Sequence, residues 1–327
     1  MTLRLADSWV WDFWFAVDGE DVHVFFLHAP RSLGDPQLRH DHARIGHAVS
    51  RDLRTWTVLP PVLPEAPAGA PDDLAQWTGS VVRDHDGCWH LFYTGRSTVD
   101  GGDGQRVLSA TSSDLLDWRR TDVLVEAHPR WYEKAGPGAE EHWRDPYVVW
   151  DEQTDRWHLL ITARVHSGRS DERGSVAHAT SADLRRWTVH EPLYGPGDFR
   201  QLEVTQLVHL GGTWRILFSA SVIDHSAARL ARTGHPPVGG THFLVGAERF
   251  GPYRLDRDEF LVGDPGSRHY AGRLLEHRGR WWFFAWLEND AEGRFLGELS
   301  DPMPVSVSPD GDIGVDVSPR LAAGDVG

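Results

Sequence analysis

The sequence predicts an all-β fold, a five-bladed β-propeller in a single domain, and three observations carry that prediction. One strand-like run returns five times, around positions 22, 89, 157, 214 and 281, at intervals of 67, 68, 57 and 67 residues. A second run, of the form A-x-S-x-D-L-x-x-W, returns three times between those anchors. Apolar residues alternate with a period of two through both, and hardly any stretch keeps a helical period. Repeats of this length, each holding about four short strands, stack as blades around a central channel.

Each blade has its own signals. Blade one, residues 8–59, opens on "DSWVWDFWF", continues with the anchor run "EDVHVFFLHA" and closes on "GHAVSRDLRTWTVL". Blade two, 77–124, holds "QWTGSVV", "GCWHLFYTG" and "LSATSSDLLDWRRT". Blade three, 143–193, holds "HWRDPYVVW", "DRWHLLITA" and "AHATSADLRRWTVH". Blade four, 200–256, holds "RQLEVTQLVHL" and "GTWRILFSA"; blade five, 268–321, holds "SRHYAGRLL" and "GRWWFFAWL". The tail "MPVSVSPDGDI" alternates and carries an Asp-Gly turn, so it completes the last blade or adds an edge strand. Residues 64–76 and 131–141 read as loops, and the Arg/Asp-rich 164–174 as a solvated loop. The Ser-Asp-Leu-Trp runs read as one repeated turn, closed by Ser and Asp hydrogen bonds, because three copies of a catalytic group are not expected.

Composition narrows the function classes. Of 327 residues 40% are hydrophobic, enough for a full core, and the formal net charge is −15, which argues against a nucleic-acid or anionic-membrane surface. No segment approaches the roughly 18 apolar residues of a membrane span. One cysteine, Cys88, rules out an internal disulfide. The first residues lack an apolar run behind a basic stretch, so a cytoplasmic location is expected. Nineteen His residues form no pair with convincing metal spacing, and no metal or cofactor is expected. Sixteen Trp residues fit the layers of a β core, with a few left to stack on the apolar face of a sugar.

The repeat also points to a site. The first strand of each blade lines the channel, so equivalent positions converge there. Ten to twelve residues before the anchors stand Asp12, Thr78, Asp145, Glu203 and Tyr270. Three of the five are acids on strands that a fold alone would fill with Val or Ala. Converging acids repel one another, so their presence suggests a use. Two carboxyl groups flanking a sugar linkage suffice for glycoside hydrolysis: one protonates the leaving oxygen, the other attacks the anomeric carbon or activates water. A third tunes the acid or holds sugar hydroxyls.

At these residues the chain resembles the five-bladed furanosidases, glycoside hydrolase family 32 and the related family 68 levansucrases. "VWDFW" is similar to the levansucrase nucleophile segment, "WTGSVV" to the Phe/Trp-Ser-Gly-Ser element, "WRDPYVVW" to the Arg-Asp-Pro motif and "HYAGRLL" to the Tyr-Ala-Ser element. "GHAVSRDLRTWTVLPPVLP" and "LGELSDPMPVSVSPDGDI" resemble the stretches that end the first blade and close the ring. The resemblance implies Asp12 as nucleophile, Asp145 as transition-state stabiliser and Glu203 as general acid/base. It implies that Arg144 orients the carboxylates, that Tyr270 bonds one of them, and that Trp11, Trp14, Trp77 and Ser80 shape the sugar subsite. His269, beside Tyr270, is a further candidate sugar contact. The chain departs from family 32 in placing Trp-Asp-Phe-Trp at the nucleophile and Val204 after the acid, and it ends near the last blade, so a divergent branch without the family's C-terminal β-sandwich is expected.

The expected activity is that of a retaining β-fructofuranosidase-like hydrolase or fructosyltransferase acting on a furanoside or oligosaccharide. Two alternatives stand beside it. One is an inverting arabinofuranosidase or xylosidase of the family 43 kind, with Asp12 as base. The other is a non-catalytic carbohydrate-binding propeller.

Overall fold

The computed structural model describes residues 3–134, 140–290 and 292–318. Five antiparallel sheets follow one another along the chain. Blade one runs outward through Ser8–Asp18, Asp21–Pro30, Arg44–Ser50 and Thr57–Val58. Blade two runs through Ala75–Arg83, Trp89–Arg96, Arg106–Ser112 and Arg119–Val125. Blade three runs through Trp143–Asp151, Arg156–Arg164, Gly174–Ser181 and Thr188–Tyr194. Blade four is Glu203–Leu210, Thr213–Ala220, Gly239–Gly246 and Tyr253–Leu255, with Val262–Asp264 pairing beside its third strand. Blade five is His269–His277, Arg280–Asn289, Met303–Val307 and Ile313–Val315, with Phe295–Leu299 also on its second strand.

The first strands of neighbouring blades touch all the way round, so this is the five-bladed propeller the repeat predicts. The five anchor residues Val22, Trp89, Trp157, Trp214 and Trp281 all lie on second strands. The tail supplies the two outer strands of blade five, with the turn at Asp310 and Gly311; residues 319–321 of that predicted stretch and 135–139 of the loop 131–141 lie outside the described residues. The ring closes where the Leu299 amide donates to the Leu3 carbonyl at 3.0 Å. The longest helix among the described residues is the seven-residue Ala227–Thr233, and none is long and apolar enough to cross a membrane.

The Ser-Asp-Leu-Trp runs are turns. Asp52, Asp114 and Asp183 each accept from the Ser hydroxyl two residues earlier and from the amides two and three residues later. The Leu that follows each Asp is forced to positive φ (60°, 65° and 59° at Leu53, Leu115 and Leu184) and is fully or nearly fully buried. Left-handed backbone is unfavourable for a branched side chain; apolar burial of the Leu offsets it. In the second and third copies the Trp then crosses to the preceding blade, Trp118 meeting Phe25 edge-on at 5.9 Å and Trp187 meeting Phe92 at 5.5 Å, while Trp56 of the first copy stacks on Phe15 of its own blade. Those two copies therefore hold blade to blade.

A second recurring device closes hairpins. His90 bonds Asp84 at 2.8 Å, and Asp84 also accepts the Cys88 amide. These three side chains approach within 4.8 Å of one another. Blade three builds the same corner from Asp151, Thr154 and His158 with no cysteine, which marks the arrangement as a hairpin closure.

Candidate active site

Every first strand breaks its register near its start. The slip falls at Asp12, at Thr78, between Arg144 and Tyr147, between Glu203 and Gln206, and between Tyr270 and Arg273. A bulge adds a residue without a partner and re-aims the side chains next to it. Asp145, Val204 and Ala271 take positive φ there, 58°, 54° and 49°. Such conformations cost about 1–3 kcal/mol each and persist only when the surroundings enforce them. Here hydrogen bonds do so: the Asp145 amide donates to Thr94 Oγ1 (2.9 Å), the Val204 amide to Asp145 Oδ2 (3.2 Å) and the Gly272 amide to Thr241 Oγ1 (2.9 Å). The result is that Asp12, Thr78, Asp145, Glu203 and Tyr270, one from each blade, line a single open cavity of about 870 Å³.

The three acids differ in their partners. Among the described residues, Asp12 Oδ2 accepts only the Thr78 hydroxyl, at 2.5 Å, and burial pushes its pKa up to about 6, with Glu203 adding repulsion. Asp145 Oδ2 accepts the Thr162 hydroxyl at 3.0 Å, and Arg144 Nε stands 3.6 Å away. Burial dominates there too and pushes Asp145 up to about 7 against the Arg144 charge. Glu203 is held on both oxygens, by Arg144 Nη2 at 2.5 Å and by the Tyr270 hydroxyl at 2.5 Å. Burial alone would raise it, but Arg144 and Tyr270 outweigh burial and hold it below the ordinary range. Arg144 is kept in place by Gln105 Oε1 and the His142 ring, both at 3.3 Å. His142 is buried beside these cations, which depresses its pKa to about 3 and leaves it neutral.

Below the acids, Arg273 ties three blades together. Its Nε donates to the Phe13 carbonyl (3.3 Å), beside Asp12, and its Nη1 to the Thr205 carbonyl (2.5 Å), two residues past Glu203. It is 2% exposed and belongs to the strand that carries Tyr270. Hydrogen bonds from a charged group typically contribute 1.5–3 kcal/mol each. Arg273→Met should therefore destabilise the fold by about 3 kcal/mol, read as a lower urea midpoint at unchanged m-value.

Of the binding residues expected from sequence, Trp11, Trp77, Arg144 and Tyr270 line the cavity. Trp77 is braced by the His40 carbonyl at 2.7 Å and by the Arg96 guanidinium 4.4 Å over its ring. Trp14 and Ser80 do not reach it. Each lies two residues past the bulge, and a strand rises about 3.3 Å per residue, so they face a separate hollow of about 390 Å³ toward the other end of the channel. Trp14 stacks on Phe25, and Ser80 Oγ accepts the Val148 amide. His269 is also not on the cavity wall; it is the strand neighbour of Tyr270, and alternation turns it to the other face. The stretch 164–174 is less solvated than its composition suggests: Arg164 is buried, pairs Glu133 at 2.8 Å, and lines the cavity with Ser170.

Several wall residues lie outside the positions that the repeat singles out: Arg39, His40, Asp224, Trp286 and Glu288. Asp224 ends the short turn Val222–Asp224 and accepts the Ser221 amide at 2.9 Å; burial first and Glu203 second push it up to about 7. One repeat signal was available. Five residues past the anchors, Thr94, Thr162 and Ser219 put hydroxyls into otherwise apolar strands, and Thr94 and Thr162 bond Asp145.

With this geometry in hand, the comparisons with known proteins are specific. The family model described as "Glycosyl hydrolases family 32 N-terminal domain" matches residues 15–295, a span that begins three residues after Asp12 and contains Asp145 and Glu203. The chain is 32% identical over 250 residues to a sucrose-6-phosphate hydrolase of Zymomonas mobilis, covering 74% of this chain and 46% of that protein. It is 29% identical over 310 residues to a levanase of a Bacillus species, covering 84% of this chain and 31% of that protein. It thus spans less than half the length of these relatives. Among solved structures, the fold is shared with an inulosucrase from Halalkalicoccus jeotgali bound to kestose, at a TM-score of 0.75 and 23% identity over 98% of this chain and 91% of that one. It is shared also with Bacillus subtilis levansucrase, at a TM-score of 0.73 and 14% identity over 97% and 88%. A five-bladed ring with three acids on its channel and a family match over most of its length leads to one conclusion: the chain belongs to glycosyl hydrolase family 32, through that family's N-terminal domain.

Proposed function

We propose that the protein is a retaining β-fructofuranosidase-like hydrolase or fructosyltransferase, with Asp12 as nucleophile, Glu203 as acid/base and Asp145 as stabiliser of the sugar in the transition state. The observation that carries this reading is the convergence of the three acids at bulges on one cavity wall. Asp12, with a single hydroxyl partner, is the acid with lone pairs free to attack. Glu203, aimed by Arg144 and Tyr270, hands a proton to the leaving oxygen and then takes one from water or a sugar acceptor. Asp145, locked by Thr162 and the Val204 amide, holds the hydroxyls of the reacting sugar. Trp11 and Trp77 offer apolar faces to the sugar ring.

The reaction needs Asp12 anionic and Glu203 protonated, whereas the protein groups by themselves hold Glu203 anionic and keep protons on Asp12 and Asp145 up to about pH 6 and 7. The reactive form is therefore the minority arrangement of a triad that carries one proton in all. That form is depleted below about pH 6, where Asp12 gains a proton, and above about pH 7, where Asp145 loses the last one. The expected kcat/KM is bell-shaped with its maximum between these values, checked by initial rates on sucrose from pH 4 to 9.

The test of the function is sugar release from sucrose, levan and aryl arabinofuranosides, with methanol as a competing acceptor. Release of fructose together with methyl β-fructofuranoside supports retention and the family 32 chemistry. Release of arabinose without a methyl glycoside moves the protein to the inverting alternative. No release from any of them sinks the hydrolase reading.

A further inference from the structure

Arg39 is a buried charge in the same cavity that the mechanism above does not use. It sits on the short turn Pro36–His40 of blade one and is 6% exposed. Three rings surround its guanidinium: Phe295 at 4.6 Å, Trp11 at 5.5 Å and Trp286 at 5.9 Å. Its Nη1 donates to the Pro36 carbonyl at 2.9 Å, while its Nε has no partner. No carboxylate pairs with it among the described residues. A buried guanidinium cannot escape its desolvation by losing a proton, and a buried donor left without an acceptor is unfavourable. That Nε is sealed from the cavity, but the residue lines the cavity wall, where a ligand oxygen would accept from the guanidinium and share its charge.

Two acids of the cavity act on Arg39, Asp12 first and Glu288 second, and Glu288 is the one with no part in the chemistry above. It lies two residues past Trp286 on the second strand of blade five, so both face the cavity. Its carboxyl makes no ion pair or hydrogen bond with the described residues, and it stands more than 4.0 Å from Arg39 while still within its field. Burial raises Glu288 to about 7, so above that pH a donor-only group and an acceptor-only group stand in the cavity, held apart, and suit a hydroxyl, which accepts from one and donates to the other. In that range they do not suit a phosphate, which has no proton left to give Glu288.

We propose that Arg39 and Glu288 form a specificity clamp for a hydroxyl group of the terminal furanose, selecting an uncharged sugar over its phosphate ester. This rests on the furanosidase reading of the cavity.

The test is tryptophan fluorescence titration, because Trp11 and Trp286 flank Arg39. The probes are 2,5-anhydro-D-mannitol, a furanose that cannot open, and its monophosphate. Sucrose hydrolysis is measured alongside. The wild type is expected to bind the neutral probe at least 10-fold more tightly than the phosphate. Arg39→Met should weaken the neutral probe about 10-fold or more, and raise KM for sucrose more than it lowers kcat. Arg39→Lys should recover part of the loss. Glu288→Gln should narrow the preference against phosphate about 10-fold, by removing the like charge. Tighter binding of the phosphate, or unchanged binding in Arg39→Met and Glu288→Gln, overturns the clamp. If the neutral probe binds with this dependence but sucrose is not cleaved, the clamp stands and the hydrolase reading falls. If neither probe binds the wild type, the clamp falls, and the hydrolase reading falls with it only if sucrose is not cleaved either.

Discussion

Asp12→Asn is expected to lower kcat on sucrose by about 10⁴-fold or more, because no other group in the cavity replaces a nucleophile that forms a covalent intermediate. The substitution keeps the shape and the Thr78 hydrogen bond, whose acceptor becomes the amide oxygen. Stability gives the control that separates chemistry from misfolding. The folded Asp12 carboxyl, raised to about 6, binds its proton more tightly than an unfolded Asp near 3.8. Its contribution is therefore fully present below about pH 3.8 and is lost as pH rises through 6. Asparagine does not titrate, so the variant should gain on the wild type across that window, by about 2–3 kcal/mol at about 1.4 kcal/mol per pKa unit. Equilibrium urea unfolding at pH 4 and pH 8 checks this. An inactive variant that is less stable than the wild type at pH 8 would point to a structural role for Asp12.

Glu203→Ala is expected to lower kcat/KM on sucrose by 10²–10⁴-fold, the usual span for a positioned proton donor. The loss should shrink strongly on a fructoside with a nitrophenol leaving group, which departs without a proton. With that substrate, release of the covalent sugar from Asp12 becomes slow, since Glu203 also serves as base in that step. Azide, which attacks without a base, should then restore turnover and yield β-fructosyl azide of retained configuration. An α-azide would instead place Asp12 as a base in an inverting enzyme. Glu203→Gln keeps an acceptor for Arg144 Nη2 and serves as the folding control.

The two effects differ in size because the residues differ in what can replace them. Water and an activated leaving group substitute for a proton donor, and nothing substitutes for the atom that bonds the anomeric carbon. Asp145 belongs between them: its oxygen is tied to Thr162 and Val204, so its loss disturbs the blade three bulge as well as the sugar contact.

Much of this was legible in the residues themselves. Strand periodicity is local, so the anchor runs at 22, 89, 157, 214 and 281 announce second strands without any tertiary information. A cyclic fold makes equivalent positions converge, so counting back ten to twelve residues finds Asp12, Thr78, Asp145, Glu203 and Tyr270 together. The same counting could not tell that Trp14 and Ser80 face the other hollow, because a bulge shifts the alternation and its effect depends on the partner strand. Nor could it find Arg39, Asp224 or Glu288, which reach the cavity from a turn, a loop helix and the end of a second strand. Protonation was hidden for the same reason. Asp12 and Glu203 are ordinary acids in the sequence; burial pushes one up, while the Arg144 charge and the Tyr270 hydroxyl, brought in from 59 and 67 residues away, hold the other down. The ring and the acids on its axis follow from repetition, which is written in the order of the residues. Which way each side chain turns and which acid holds the proton follow from desolvation and from fields that cross from blade to blade, and these exist only once the chain is folded.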